Sequence, residues 1–252
     1  MIFYFSATGN SKYVAQRIAS KTNDEIQSIV EYLKQKDTNN LIDSLTIGII
    51  TPTYSWGLPS IVKEFLEKVS FDNSIRYIWF LATYGTTPGQ TGYFANEIIQ
   101  KNGKSFNAYF SVKMPDTWTP IFDLSNKNKV NQINQKADLQ IDHVINHITK
   151  QDYGNYMNNR TPLLLTKIVY KNEYEIMRKT NHFKVEDTCI GCGLCARNCP
   201  VKAIELKNKR PTWVKEKCVM CLSCLHHCPK FAIQYGNGRT KRHGQYTHES
   251  YC

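Results

Sequence analysis

Two stretches of this 252-residue chain repeat one spacing of cysteines. Cys189, Cys192, Cys195 and Cys199-Pro200 form the first, and Cys218, Cys221, Cys224 and Cys228-Pro229 form the second. Disulfide frameworks serve small secreted domains that lack a sufficient core. Here no cysteine precedes Cys189, and the long stretch before it can build a core without cross-links. Clustered cysteines in such a chain bind metal instead. Zinc does not suit the pattern, because structural zinc sites use two Cys pairs. Three cysteines on one tight loop wrap three corners of an iron–sulfur cube, with the loop's N–H groups turned toward the cube's sulfurs. The fourth ligand arrives from the far side, and the proline turns the chain away. Gly191 and Gly193 permit the close backbone approach. The flanks repeat as well: Val201-Lys202-Ala203-Ile204 mirrors Lys230-Phe231-Ala232-Ile233, which implies a pseudo-twofold unit. His226 and His227 read as spacer positions, with hydrogen-bond tuning of a cluster as the alternative. Cys252 has no partner motif and reads as a free thiol.

Segment 183–235 resembles the two-cluster bacterial ferredoxins, a small α+β fold. That resemblance implies Cys189, Cys192, Cys195 and Cys228 on one [4Fe–4S] cluster and Cys218, Cys221, Cys224 and Cys199 on the other.

The first 150 residues carry no such motif and alternate strand with helix signals. Apolar runs at 2–5, 26–30, 46–50, 76–83 and 106–112 read as five strands. Between them lie helical stripes such as Val14, Ala15, Ile18 and Ala19, or Ile61, Val62, Phe65, Leu66 and Val69. Ala137, Ile141, Val144, Ile145 and Ile148 close the series. The run 76–83 is continuously apolar from Tyr77 to Ala82, as in a central strand covered on both faces. The alternation implies an α/β domain, a parallel sheet wrapped by helices.

Between the first strand and first helix lies Ser6-Ala7-Thr8-Gly9-Asn10-Ser11. Its hydroxyls and backbone N–H groups, at a helix N-terminus, form a receptor for phosphate that needs no Lys or Arg. Helix capping alone accounts for one hydroxyl but not for four hydrogen-bonding side chains around a glycine. This loop resembles the phosphate loop of flavodoxins, with Ser in place of the first Thr. The resemblance implies a five-stranded sheet of order 2-1-3-4-5 and FMN, its phosphate on Ser6, Thr8, Gly9, Asn10 and Ser11. It further implies two flavin-ring loops after strands three and four. The first carries Thr53, Tyr54, Trp56 and Gly57, and the second Thr83, Tyr84 and Gly85. Tyr54, Trp56 and Tyr84 are all candidates to stack on the ring, and Trp56 has plain core packing as its alternative. Gly85 suits a peptide that approaches the ring edge.

Four segments follow: 1–150 flavodoxin-like, 151–183 a connector, 184–235 the dicluster unit, and 236–252 a basic polar tail. Thr161-Pro162 opens an amphipathic helix over 163–177, free to pack against either neighbour. The tail is poor in apolar residues and reads as loosely ordered or docked on the surface. Net charge is +11, and residues 184–252 hold 12 Lys/Arg against 5 Asp/Glu. Thiolates and a flavin phosphate offset part of that excess; the remainder suits an acidic redox partner protein. No nucleic-acid motif is present, no apolar run is long enough to span a membrane, and no basic apolar leader follows Met1. The expectation is a cytoplasmic protein.

The whole resembles flavodoxin–ferredoxin fusion proteins of anaerobic microbes, which implies low-potential electron transfer among the clusters, FMN and external redox partners. The alternative is a flavin-dependent reductase of a quinone, nitro compound or nicotinamide, fed through the clusters. A third reading is a flavodoxin-like half that binds no flavin and serves docking. No G-x-G-x-x-G follows a strand, so electrons enter from a partner protein.

Overall fold

The alternation of short apolar runs with helical stripes produces a parallel sheet covered on both faces. The computed structural model describes residues 1–35, 42, 44–157 and 161–249; Cys252 lies outside them. In chain order the first part runs β1 (Ile2–Tyr4), α1 (Asn10–Thr22), β2 (Ile26–Ser28), α2 (Ile29–Lys34), β3 (Thr46–Pro52), α3 (Ser60–Lys68), β4 (Tyr77–Tyr84), α4 (Thr91–Ile99), β5 (Ala108–Lys113) and α5 (Lys127–Thr149). The five strands pair in parallel in the order 2-1-3-4-5, and a two-residue strand β6 (Gly154–Asn155) adds to the β5 edge.

Side chains alternate across this sheet with the strand period of two. Phe3, Ile49 and Phe80 stand in register on adjacent strands and face the side covered by α3 and α4. Ile2, Trp79 and Leu81 face α1 and α5, where Ile18 and Ile141 meet them. Every residue of β4 is buried, as its unbroken apolar run requires.

Two short elements depart from the sequence reading. The apolar run 26–30 ends as a strand at Ser28, and Ile29 opens α2 with Ile29 and Tyr32 buried on one face. A short apolar run fits either period, so tertiary packing decides. The sixth strand escapes notice because both its residues are exposed and neither is apolar.

After β6 come α6 (Leu163–Val169), a π-helical turn (Tyr170–Tyr174) and α7 (Glu175–Met177), which make one helical run from Pro162 onward. Its apolar side is not its packed side: Leu164 is 74% exposed and Ile168 53% exposed. Anchoring comes from tyrosines, by ring packing such as Tyr170 on Phe94 at 5.0 Å and by their hydroxyls. The Tyr170 hydroxyl donates to Leu58 O at 2.6 Å. The Tyr174 hydroxyl accepts from Ser60 N–H at 2.9 Å and donates to Val219 O at 3.2 Å. The connector thus packs against both neighbours.

The remaining chain forms β7 (Phe183–Val185), α8 (Leu194–Arg197), β8 (Ile204–Lys207), β9 (Arg210–Trp213), α9 (Ser223–His226), β10 (Ile233–Tyr235) and α10 (Arg239–His243). β7 pairs antiparallel with β10, and β8 with β9. Trp118, from the loop after β5, packs on this unit's small core and meets Tyr235 edge-on at 5.0 Å.

The described part of the tail, through Glu249, is docked, not loose. Thr240, Tyr246 and His248 are buried in it, and Tyr246 shares a small core with Leu124 and Val130 of the flavodoxin-like part. Few apolar residues suffice because hydrogen bonds hold the rest.

Candidate functional site

At the C-terminal edge of the sheet, the loops after β1, β3, β4 and β5 enclose a cavity of about 510 Å³, where open α/β sheets place ligands. The loop after β1 turns at Gly9, whose φ of 101° favours glycine. Ser6 Oγ accepts from Gly9 N–H at 3.2 Å, and α1 begins at Asn10 with no acidic residue in its first turn. Ser11 and Thr83 join hydroxyl to hydroxyl at 2.8 Å, tying the first loop to the end of β4.

The structure brings Ser6, Thr8, Asn10, Ser11, Thr53, Tyr54, Trp56, Thr83, Tyr84 and Gly85 onto the cavity wall. Gly9 and Gly57 are not on it. Gly9 makes the turn, and Gly57 backs onto the connector, where a Cβ would lie 2.4 Å from the Tyr170 ring. Trp56 is not core: it is half-buried on the cavity, with φ of 65°. Asn10 commits its side chain to protein groups, donating to Pro115 O at 3.0 Å and accepting from the Tyr246 hydroxyl at 2.8 Å.

Two walls escaped the sequence reading. One is the loop after β5, with Asp116, Thr117 and Trp118. Asp116 crowds Gly85 so closely that a Cβ there would meet Asp116 Oδ2 at 2.1 Å. Burial raises the Asp116 carboxyl to about 6, against the bond it accepts from Trp118 N–H. The signal was present in Pro115-Asp116-Thr117-Trp118, directly after a strand. The other wall is Met177 with Met220, Cys221 and Leu222, brought in from the connector and from the second cysteine run. No sequence pattern announces that contact. It also leaves Tyr54 beside Cys221, its phenol pushed well up by burial first and that neighbour second.

The eight described cysteines are free of disulfides and fall into two cradles. Cys189, Cys192, Cys195 and Cys228 line one cavity, and Cys199, Cys218, Cys221 and Cys224 line another. The fourth cysteine of each run crosses to the other run's site. The repeat shows in detail: Cys199 Sγ accepts from Ala203 N–H at 3.2 Å, and Cys228 Sγ from Ala232 N–H at 3.3 Å. Among the described residues no group of three or more His, Cys, Asp or Glu is arranged to hold a single metal ion. Each set of four thiols lines a small cavity of its own instead.

Residues 1–142 match the family model of the flavodoxin domain. The chain belongs to the flavodoxin domain family. Residues 188–244 match the 4Fe-4S dicluster domain. Over 23 residues the chain is 65% identical to Ferredoxin-1 of Rhodospirillum rubrum, covering 9% of this chain and 42% of that protein, less than half its length. Among solved structures it is similar to rubredoxin oxygen:oxidoreductase from the anaerobe Desulfovibrio gigas (14% identity, TM-score 0.36, 57% of this chain and 35% of that one). It is also similar to a flavodoxin from the domain Archaea (16% identity, TM-score 0.34, 58% of this chain and 97% of that one). The two matched domains make this a flavodoxin-domain chain joined to a 4Fe-4S dicluster domain, whose cofactors are FMN and [4Fe–4S] clusters.

This flavodoxin-family chain has the donor set for those groups. For FMN, the hydroxyls of Ser6 and Thr8 and the first N–H groups of α1 suit a phosphate dianion. Tyr54, Trp56, Tyr84 and Trp118 offer ring faces for the flavin. For the clusters, burial raises the Cys218 thiol to about 11 and pushes Cys221 and Cys224 further up. Thiolates in that cradle need the positive charge of bound iron. No helix among the described residues is long and apolar enough to cross a membrane.

Proposed function

We propose that the cradle of Cys189, Cys192, Cys195 and Cys228 is the port where an acidic partner protein delivers single electrons. From there they move inward, by way of the cradle of Cys199, Cys218, Cys221 and Cys224, toward the flavin cavity. The observation that carries this reading is one of placement. Met220, Cys221 and Leu222 form part of the flavin cavity's wall, whereas Cys192 is exposed. Iron–sulfur clusters exchange one electron at a time, and FMN holds one or two, so the arrangement converts single electrons into pairs.

The outer cradle has the look of a docking face. Ile190 is 59% exposed and Leu206 41% exposed, with Lys207, Lys209 and Lys230 exposed around them and Arg210 paired with Asp187. An apolar centre with a cationic rim steers and seats an acidic surface. Mixing the anaerobic protein with a reduced acidic ferredoxin tests the reading. Cluster bleaching is expected to precede flavin reduction, and the encounter to slow as salt is added. A flat salt response removes the acidic partner, and flavin reduction ahead of the clusters overturns the direction.

One observation favours the reductase reading: Asp116, held in the flavin cavity with a carboxyl near 6, can carry a proton to a substrate at neutral pH. Steady reduction of a quinone or nitro compound by NAD(P)H, with no other protein present, would replace the carrier by an enzyme.

A further inference from the structure

We propose that segment 244–248 is a clasp that positions the phosphate loop, so that FMN is held tightly only while the dicluster unit is folded against the flavodoxin domain. The inference rests on the reading that FMN occupies the cavity above Asn10.

The clasp touches both modules through consecutive residues. Gln245 Nε2 donates to Leu225 O at 2.6 Å, in α9, and to Cys228 O at 2.8 Å, just after it, both within the second cysteine run. The next residue, Tyr246, is buried, and its hydroxyl donates to Asn10 Oδ1 at 2.8 Å. Asn10 is the first residue of α1, and its other end donates to Pro115 O at 3.0 Å. Two residues on, His248 N–H donates to Thr8 O at 2.7 Å, inside the phosphate loop, and the His248 ring stacks on Tyr13 at 4.1 Å.

A second strand of the same link runs through His226, which is buried between Cys224 and Cys228. Its Nδ1 accepts from Tyr246 N–H at 3.1 Å. The remaining proton of the neutral ring therefore sits on Nε2, which donates to Thr117 O at 2.9 Å. Thr117 and Pro115 belong to the β5 wall of the flavin cavity, so the clasp braces two of the cavity's loops from behind. None of Gln245, Tyr246 or His226 lines the cavity itself. They are positioning residues.

Two sites joined by one set of bonds are coupled reciprocally: what strengthens one strengthens the other. Tyr246→Phe removes the hydroxyl and leaves Asn10 Oδ1 without its close donor in a buried place. Gln245→Ala cuts the tie on the cluster side, remote from the flavin. The test measures FMN dissociation constants by flavin fluorescence on cluster-loaded protein, alongside iron and sulfide content and chelator-driven iron release. Both variants are expected to keep wild-type iron content and to bind FMN about tenfold more weakly for Tyr246→Phe and several-fold for Gln245→Ala. FMN is expected to slow iron release from the wild type and to lose that effect in the variants, a readout that general destabilisation does not give. Unchanged FMN affinity in both variants, or iron release indifferent to FMN in the wild type, overturns the clasp. Iron-loaded wild type that takes no FMN overturns the flavin reading itself, and the clasp with it.

Discussion

The two cysteine cradles share one spacing and differ in almost everything around it. The outer one opens to solvent at Cys192 and Ile190, and the inner one lies beside the flavin cavity, with Cys224 buried and its other three cysteines half-buried. Backbone conformation is the same in both. Gly191 and Gly193 have φ of 67° and 74°, and the equivalent Met220 and Leu222 have 61° and 53°. The pair Lys202 and Phe231 also match, each at 48°. A left-handed turn favours glycine, and a larger side chain there costs roughly 1–2 kcal/mol. Both runs bear that cost once, at Lys202 and Phe231. Between the first three cysteines the outer run avoids it with glycines, whereas the inner run accepts it twice more, and both of those side chains form the flavin wall. The cage is written by the cysteines, whereas the role of each cage is written by what stands between them. Strain held where function needs a side chain is a familiar pattern.

The comparison can be broken first at the thiols. Cys221→Ser and Cys192→Ser are each expected to cost the iron of one cluster. The inner change should strip FMN by tenfold or more in affinity, because its cradle shares the flavin wall, and the outer change by much less, because it reaches the flavin only through Gln245 at Cys228. Metal analysis with flavin titration checks both. Equal flavin loss from the two would erase the distinction.

Exchanging residues between the runs sharpens it next. Gly191→Met places a Cβ 2.5 Å from Lys209 O in a left-handed turn, so thermal unfolding should show a loss of about 2–3 kcal/mol. Met220→Gly relaxes the same turn in the inner run. Its melting temperature should hold or fall slightly, while FMN affinity drops several-fold as the wall opens.

A smaller effect belongs to the outer surface. Lys230→Glu should slow electron entry from an acidic donor several-fold at low salt and flatten the salt dependence, with FMN binding untouched. Stopped-flow rates at two ionic strengths decide this.

The smallest belongs to Asp116. Its folded carboxyl titrates near 6 because burial raises it, above its value in the unfolded chain. Between the two values the folded state holds the extra proton, so stability falls as pH rises through about 4 to 6 and levels off above. Asp116→Asn should remove that slope from melting curves while leaving the rest of the pH profile in place.

Much of this was legible beforehand. The sheet follows from apolar runs whose periods are unambiguous when long, as in β4, and the phosphate loop from hydroxyls crowded around Gly9 at a strand-to-helix turn. The crosswise cysteine sets followed from resemblance, and the structure groups the same eight residues. What stayed hidden depends on contacts between distant segments. Tyr246 and Asn10 are 236 positions apart, and His226 and Thr117 are 109 apart. Nothing local marks either pair. His226 reads as a spacer because its partners are a backbone carbonyl and a backbone N–H, groups that every residue carries. The exposed leucines of α6 mislead for the opposite reason: an apolar stripe predicts a buried face, but tyrosine rings and hydroxyls do the anchoring.

The phenol of Tyr174 is held at once by the backbone of Ser60 and of Val219. One side chain thus ties the start of α3 to the second cysteine run, close to where the inner cradle meets the flavin cavity. On the proposed route, the gap that an electron would cross from the inner cradle to the flavin cavity is then set by the fold rather than by a collision. Transfer within the molecule should proceed at the same pace in thick solvent as in thin.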